Sequence, residues 1–155
     1  MLVGDIETGD DVSIWPFVAA RGDVHHIRIG HRSNIQDGTV LHVTHDGPYS
    51  PGGLPLIIGN DVTVGHKALL HACTIGDRCL IGMGAIVMDG AVLENDVLLA
   101  AGAVVTPRKR LKAGMLYRGN PAREVRPLSK DELAMLSYSA ENYVRVKDSY
   151  LAEVS

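Results

Sequence analysis

The run Ile75-Gly76-Asp77-Arg78-Cys79-Leu80, Ile81-Gly82-Met83-Gly84-Ala85-Ile86, Val87-Met88-Asp89-Gly90-Ala91, Val92-Leu93-Glu94-Asn95-Asp96-Val97, Leu98-Leu99-Ala100-Ala101-Gly102-Ala103 decides the fold. An aliphatic residue returns at steps of six, and every third step reads as five, so one turn is 17 residues. Rows of 17 place Val12, Ile29, Ile58, Ile75 and Val92 in a first column. Val18, Ile35, Val64, Ile81 and Leu98 form a second, and Val24, Leu41, Leu70, Val87 and Val104 a third. A helix needs a period near 3.6 and a half-buried strand a period of 2. Three short flat faces per turn, each with an inward aliphatic, describe instead an all-β, triangular parallel β-helix, with coils stacked about 4.8 Å apart.

One row is out of step. Ile29 and Ile58 are 29 positions apart, and the excess lies in Thr44-His45-Asp46-Gly47-Pro48-Tyr49-Ser50-Pro51-Gly52-Gly53-Leu54-Pro55. Its Pro and Gly content marks an excursion loop, and its position just after His42 makes it a candidate flap over a site. The β-helix is expected over residues 1–126. Residues 127–155 then add a helix to the same domain. Ser129-Lys130-Asp131-Glu132 is a capping box. Leu133, Leu136, Ala140, Tyr143, Val144 and Lys147 follow at helical spacing, so a helix from about Lys130 to Tyr150 is expected along the outside of the prism. Arg108-Lys109-Arg110 reads as a solvated basic surface.

Composition narrows the classes of function. The 155 residues suit one domain. A net charge of −3 argues against a nucleic-acid partner. No run approaches the roughly 18 apolar residues of a membrane span. Met1-Leu2-Val3-Gly4-Asp5 lacks the basic and apolar regions of a signal peptide, and Cys73 and Cys79 are spaced unlike a zinc or redox pair. A cytoplasmic protein with reduced thiols is the expectation. Aromatic residues are only 5%, so the core must be built of small and branched aliphatics.

The row arithmetic has a chemical consequence. His42 and His71 each follow a third-column residue, in adjacent coils once the insertion is removed. They are expected as stacked neighbours on one edge, close enough to converge on one ion at about 2.0–2.1 Å each. His66 lies two positions after a second-column residue, on another part of the surface. A neighbouring chain in a threefold assembly is able to supply it. Three neutral imidazoles leave zinc an open position, as in a catalytic site, where bound water has its pKa lowered to roughly 7; cobalt and ferrous iron also suit such ligands. His25, His26, His31 and His45 fit no such stacking and read as surface residues, with His45 a candidate proton carrier beside His42.

With Arg21-Gly22-Asp23, Asn34-Ile35-Gln36-Asp37, Leu41-His42, Val64-Gly65-His66, Leu70-His71 and Tyr143 in view, the whole chain resembles the gamma-class carbonic anhydrase-like family of hexapeptide-repeat proteins. The resemblance implies homotrimers of left-handed β-helices with a metal at each subunit interface, His42 and His71 from one subunit and His66 from its neighbour, and reversible CO2 hydration by metal-bound hydroxide. It implies that Gln36 and Tyr143 orient bicarbonate or the bound water. It further implies that Arg21 and Asp37 form an ion pair across the interface, with Asp23 a second polar partner. The sequence departs from the family pattern at Val24, where active members carry Glu, and in the excursion loop, which has no Glu to shuttle protons. Members also often carry about twenty residues before the segment matching Leu2–Asp5. Two other functions stay open: acyl-CoA thioester hydrolysis or acyl transfer, since Gly119-Asn120-Pro121-Ala122 resembles the tail motif of hexapeptide acyltransferases, and a metal-binding scaffold without turnover.

Overall fold

A computed structural model describes residues 1–154. The chain winds as a left-handed parallel β-helix of about six turns with one C-terminal helix. One face stacks Ser13–Ile14, Asn34–Ile35, Thr63–Val64, Leu80–Ile81, Leu98–Leu99 and Met115–Arg118, and Arg123–Pro127 returns antiparallel at its end. The second face stacks Val40–His42, Leu69–His71, Ile86–Val87 and Val104–Val105. The third stacks Leu56–Ile58, Thr74–Ile75, Val92–Leu93 and Arg110–Leu111. The long strand Ala19–Ile29 bends around the edge between the second and third faces, pairing with Val40–His42 by its first half and Leu56–Ile58 by its second. Leu2–Thr8 runs beside it and closes the N-terminal end.

The inward register differs from the 17-residue rows. From Ile75 onward the buried residues are Ile81, Val87, Leu93, Leu99, Val105 and Leu111, a strict step of six. Val92, Leu98 and Val104, placed inward by the rows, are partly exposed and pair with Thr74, Leu80 and Ile86. In the first coil Ile14 and Ala20 stack under Ile35 and Leu41, so Val12 is only half-buried and Val24 is 46% exposed. The reason lies in the corners. Three residues before each inward aliphatic except Ile29 and Ile58 the backbone turns left-handed, as at Arg32, Asp61, Arg78 and Asp96. Two residues before it a small or branched side chain is also buried, as at Val62, Ala68, Cys79, Ala85, Ala91, Val97 and Ala103. Those small corner residues explain how a core with few aromatics fills.

The left-handed corners strain non-glycine residues by roughly 1–2 kcal/mol each. Two pairs of them are tied across neighbouring coils, Arg32 to Asp61 and Arg78 to Asp96, each by two hydrogen bonds of 2.7–2.9 Å. Burial pushes both thiols up, Cys79 to about 12, so both stay as inert SH groups in the core.

The C-terminal helix Lys130–Val154 covers the lower part of the first face. Its start is the expected capping box: Glu132 N donates to Ser129 Oγ at 3.2 Å and Ser129 N to Glu132 Oε2 at 2.8 Å. Leu136 and Ala140 are buried and Ser139 Oγ accepts from Thr63 Oγ1 at 3.0 Å, whereas Leu133, expected in the same stripe, is exposed. Among the described residues no helix is long and apolar enough to cross a membrane.

Candidate metal centre

The steps between inward residues are six almost everywhere, and every exception falls on the edge between the second and third faces. There the chain takes nine residues from Ala20 to Ile29, seventeen from Leu41 to Ile58 and five from Leu70 to Ile75. This irregular edge carries Arg21, Asp23, His42, the excursion loop and His71. The coil above resumes the regular corner, and its extra residue, Asp89, hangs over the short corner at Ala72.

His42 and His71 are register partners in adjacent strands. Their rings lie 5.1 Å apart between centroids, with His42 Nδ1 3.1 Å from His71 Nε2. The far nitrogen of each ring meets a carboxylate. His42 Nε2 is 3.2 Å from Asp23 Oδ1, and His71 Nδ1 is 2.7 Å from Asp89 Oδ1. These partners place the N–H of each ring on its carboxylate side, so two lone pairs face one another across 3.1 Å. Such an arrangement can hold a proton or a metal ion between them. Two nitrogens on one tetrahedral ion at 2.0–2.1 Å stand about 3.3 Å apart, so the pair fits a zinc-like ion.

The supporting carboxylates are held in turn. Arg21 Nη1 donates to Asp23 Oδ2 at 2.5 Å, and this bond, chiefly, holds the Asp23 carboxyl below its ordinary value. Partial burial pushes Asp89 up, but hydrogen bonds from Thr44 and His71 outweigh it and the net shift is downward.

The remaining expected residues gather on the next edge, between the first and second faces. His66 Nδ1 donates to Asp37 Oδ2 at 2.9 Å. Gln36 is buried and its Nε2 donates to Asn34 Oδ1 at 3.1 Å. Tyr143 packs edge-on against Trp15 at 5.8 Å, and burial, with the Asp37 charge, raises its hydroxyl pKa so that it stays a donor at neutral pH. Within the chain Arg21 pairs with Asp23 and Asp37 with His66. Among the described residues no group of three His, Cys, Asp or Glu side chains forms an ion cage within one chain.

His25 and His26 meet edge to face, His31 Nδ1 accepts from the backbone of Asp10, and His45 is exposed in the loop. Asp89 and Thr44 are additions that the sequence reading missed. Their signal is the five-residue step at His71, which leaves Asp89 without a counterpart in the coil below.

Residues 72–107 match the model of the bacterial transferase hexapeptide family. Protein YrdA of Escherichia coli K12 is 58% identical over 151 residues, spanning 97% of this chain and 82% of that protein. The mitochondrial gamma carbonic anhydrase 1 of Arabidopsis thaliana is 42% identical over 152 residues, 98% of this chain and 55% of that protein. The chain belongs to the gamma-class carbonic anhydrase-like family of hexapeptide-repeat proteins. This family's fold is also that of a crystal structure titled a hexapeptide transferase family protein, from Anaplasma phagocytophilum. It superposes with a TM-score of 0.87 at 42% identity, over 96% of this chain and 84% of that one.

Proposed function

We propose that the protein is a cytoplasmic, homotrimeric metalloenzyme of gamma-class carbonic anhydrase type that hydrates CO2 reversibly at zinc sites shared between subunits. One observation carries this reading. Each of His42, His66 and His71 has one ring nitrogen on a carboxylate, Asp23, Asp37 and Asp89 respectively, which leaves the other nitrogen to ligate. His31 Nδ1 also lies 3.4 Å from a carboxylate, Asp10 Oδ2, but that nitrogen accepts from the Asp10 backbone N–H instead.

The second face supports a shared site. Its outward column Ala19, Val40, Leu69, Ile86 and Val104 is apolar, in register and at least partly exposed. It runs between the His42–His71 edge and the His66 edge, so a copy docked on this apolar strip brings a foreign His66 toward His42 and His71. In that arrangement Asp37 meets Arg21 across the interface. Gln36 and Tyr143 arrive with His66 and orient substrate by hydrogen bonds, Tyr143 as donor. Zinc on three neutral imidazoles supplies Lewis acidity that lowers the pKa of a ligated water to roughly 7. His45 carries the released proton to solvent, with Val24 and a loop free of glutamate leaving no glutamate relay there. Turnover is therefore slow and limited by proton removal.

The test is subunit mixing. His66→Ala and His71→Ala each abolish tight zinc binding and hydration when purified alone. Co-expressed, they re-form intact sites where a His66→Ala subunit supplies His42 and His71 and a His71→Ala neighbour supplies His66, about a quarter of sites for random trimers. Failure to recover zinc and hydration in the mixture overturns the shared site.

Likeness to the hexapeptide transferase structure favours a second reading, transfer or hydrolysis of acyl-CoA thioesters at the same interface. Thermal stabilisation by CoA esters and not by bicarbonate selects it. Zinc-loaded protein inactive in both assays selects a metal-binding scaffold.

A further inference from the structure

Asp89 has appeared so far only as the carboxylate behind His71, yet both of its carboxylate oxygens are engaged. Oδ1 accepts from His71 Nδ1 at 2.7 Å. Oδ2 accepts a short hydrogen bond from Thr44 Oγ1. Thr44 is the base of the excursion loop, where its backbone pairs both ways with Leu54, at 3.0 and 2.9 Å.

The loop beyond that base is self-contained. Gly47 and Ser50 pair with each other, Gly53 N donates to Ser50 O, and Gly52 N donates to Asp46 Oδ1 at 2.7 Å. Among the described residues, the Thr44–Asp89 bond is the one hydrogen bond from residues 44–54 to the body of the β-helix. Tyr49 at the tip is 94% exposed.

We propose that Asp89 is a positioning residue with two tasks: it fixes His71 with Nε2 facing His42, and through Thr44 it ties the excursion loop to the state of that histidine. The inference rests on His71 being a metal ligand. The physical logic is the carboxylate behind a ligating imidazole, which sets the ring's tautomer and angle and raises its basicity; losing such a partner weakens metal binding 10- to 100-fold. Because one carboxylate holds both His71 and Thr44, ordering of His71 on an ion also orders Asp89. The loop base is thereby fastened when the site is filled and loosened when it is empty. The short corner at Ala72 is what lets a residue of the coil above reach down to His71.

Three variants separate these tasks. Asp89→Asn keeps size and shape but removes the charge. Thr44→Val keeps shape and cuts only the loop tie. Thr44→Ser restores the hydroxyl. Zinc affinity is measured by chelator competition, with the visible spectrum of the cobalt form as a second reading of ligand geometry. Loop order is measured by the rate of chymotrypsin cleavage after Tyr49, with and without zinc.

The expected results are zinc affinity weakened 10- to 100-fold and a shifted cobalt spectrum in Asp89→Asn. In wild type, zinc slows cleavage at Tyr49. That protection disappears in Thr44→Val and returns in Thr44→Ser. Wild-type zinc affinity in Asp89→Asn overturns the positioning role, and equal zinc protection in Thr44→Val overturns the tie to the loop. Wild-type protein that binds no zinc overturns the metal reading itself, and this inference with it.

Discussion

Leu98 and Leu99 are adjacent and chemically identical, so truncating each in turn tests the register of the whole upper β-helix. Leu99 is fully buried between Ile81 and Tyr117, its partners in the neighbouring coils. Leu98 stands on the outer side of the same strand and is partly exposed. Leu99→Ala removes three buried carbons, about 2.4 kcal/mol of transfer free energy at about 0.8 kcal/mol each. The rigid backbone ladders on both sides keep the space from closing, which adds a cavity term and brings the total to about 3–4 kcal/mol. Leu98→Ala opens no enclosed space and loses only part of the transfer term, about 1 kcal/mol. The gap of about 2–3 kcal/mol corresponds to roughly 4–12 °C in Tm for a chain of this size. Urea midpoints compared at one protein concentration and one zinc concentration measure it, since assembly and ligand both shift apparent stability. Equal costs, or a larger cost at Leu98, refute the six-residue step and restore the 17-residue rows.

Two further outcomes follow from the structure. The Arg126 guanidinium, with the Ser129 backbone, holds Glu132 down to about 2, against an ordinary value of 4.5. The folded value lies below the unfolded one, so this contribution to the helix start is present above pH 4.5 and is lost as pH falls toward 2. Amide exchange over the first turn of the helix is therefore faster in Glu132→Gln than in wild type at pH 6, and the difference narrows toward pH 2; a difference that persists unchanged into acid contradicts the assignment. Separately, an ion that bridges chains stabilises the assembly by mass action, about 2.7 kcal/mol per site when free zinc is a hundred times its Kd. Chelation should lower Tm by several degrees and shift a metal-bridged assembly toward smaller species in sedimentation, and an unmoved profile in zinc-free protein argues against an interfacial site.

How far the sequence reached can be judged residue by residue. The step of six, the excursion loop after His42 and the capping box at Ser129 were legible because each is a local pattern with one geometric reading. The pairing of His42 with His71 was legible too, because both follow a third-column aliphatic and a stacked coil leaves them nowhere else to go. The register above Ile75 was not. Val92-Leu93, Leu98-Leu99 and Val104-Val105 are doublets of aliphatics, so hydrophobicity cannot say which member points inward. The choice is made by the number of residues each corner needs to place one left-handed residue and one small buried one, and by backbone pairing with the coil below. In the same way the carboxylate partners of His42 and His71, Asp23 and Asp89, are distant in sequence and meet their histidines only through irregular corners. By itself the sequence determined a triangular parallel β-helix with two histidines stacked on one edge. Only the tertiary structure decided which side chains fill the core, that every irregular corner falls on that edge, and that Asp89 reaches His71, because these depend on how successive coils are set against one another in space.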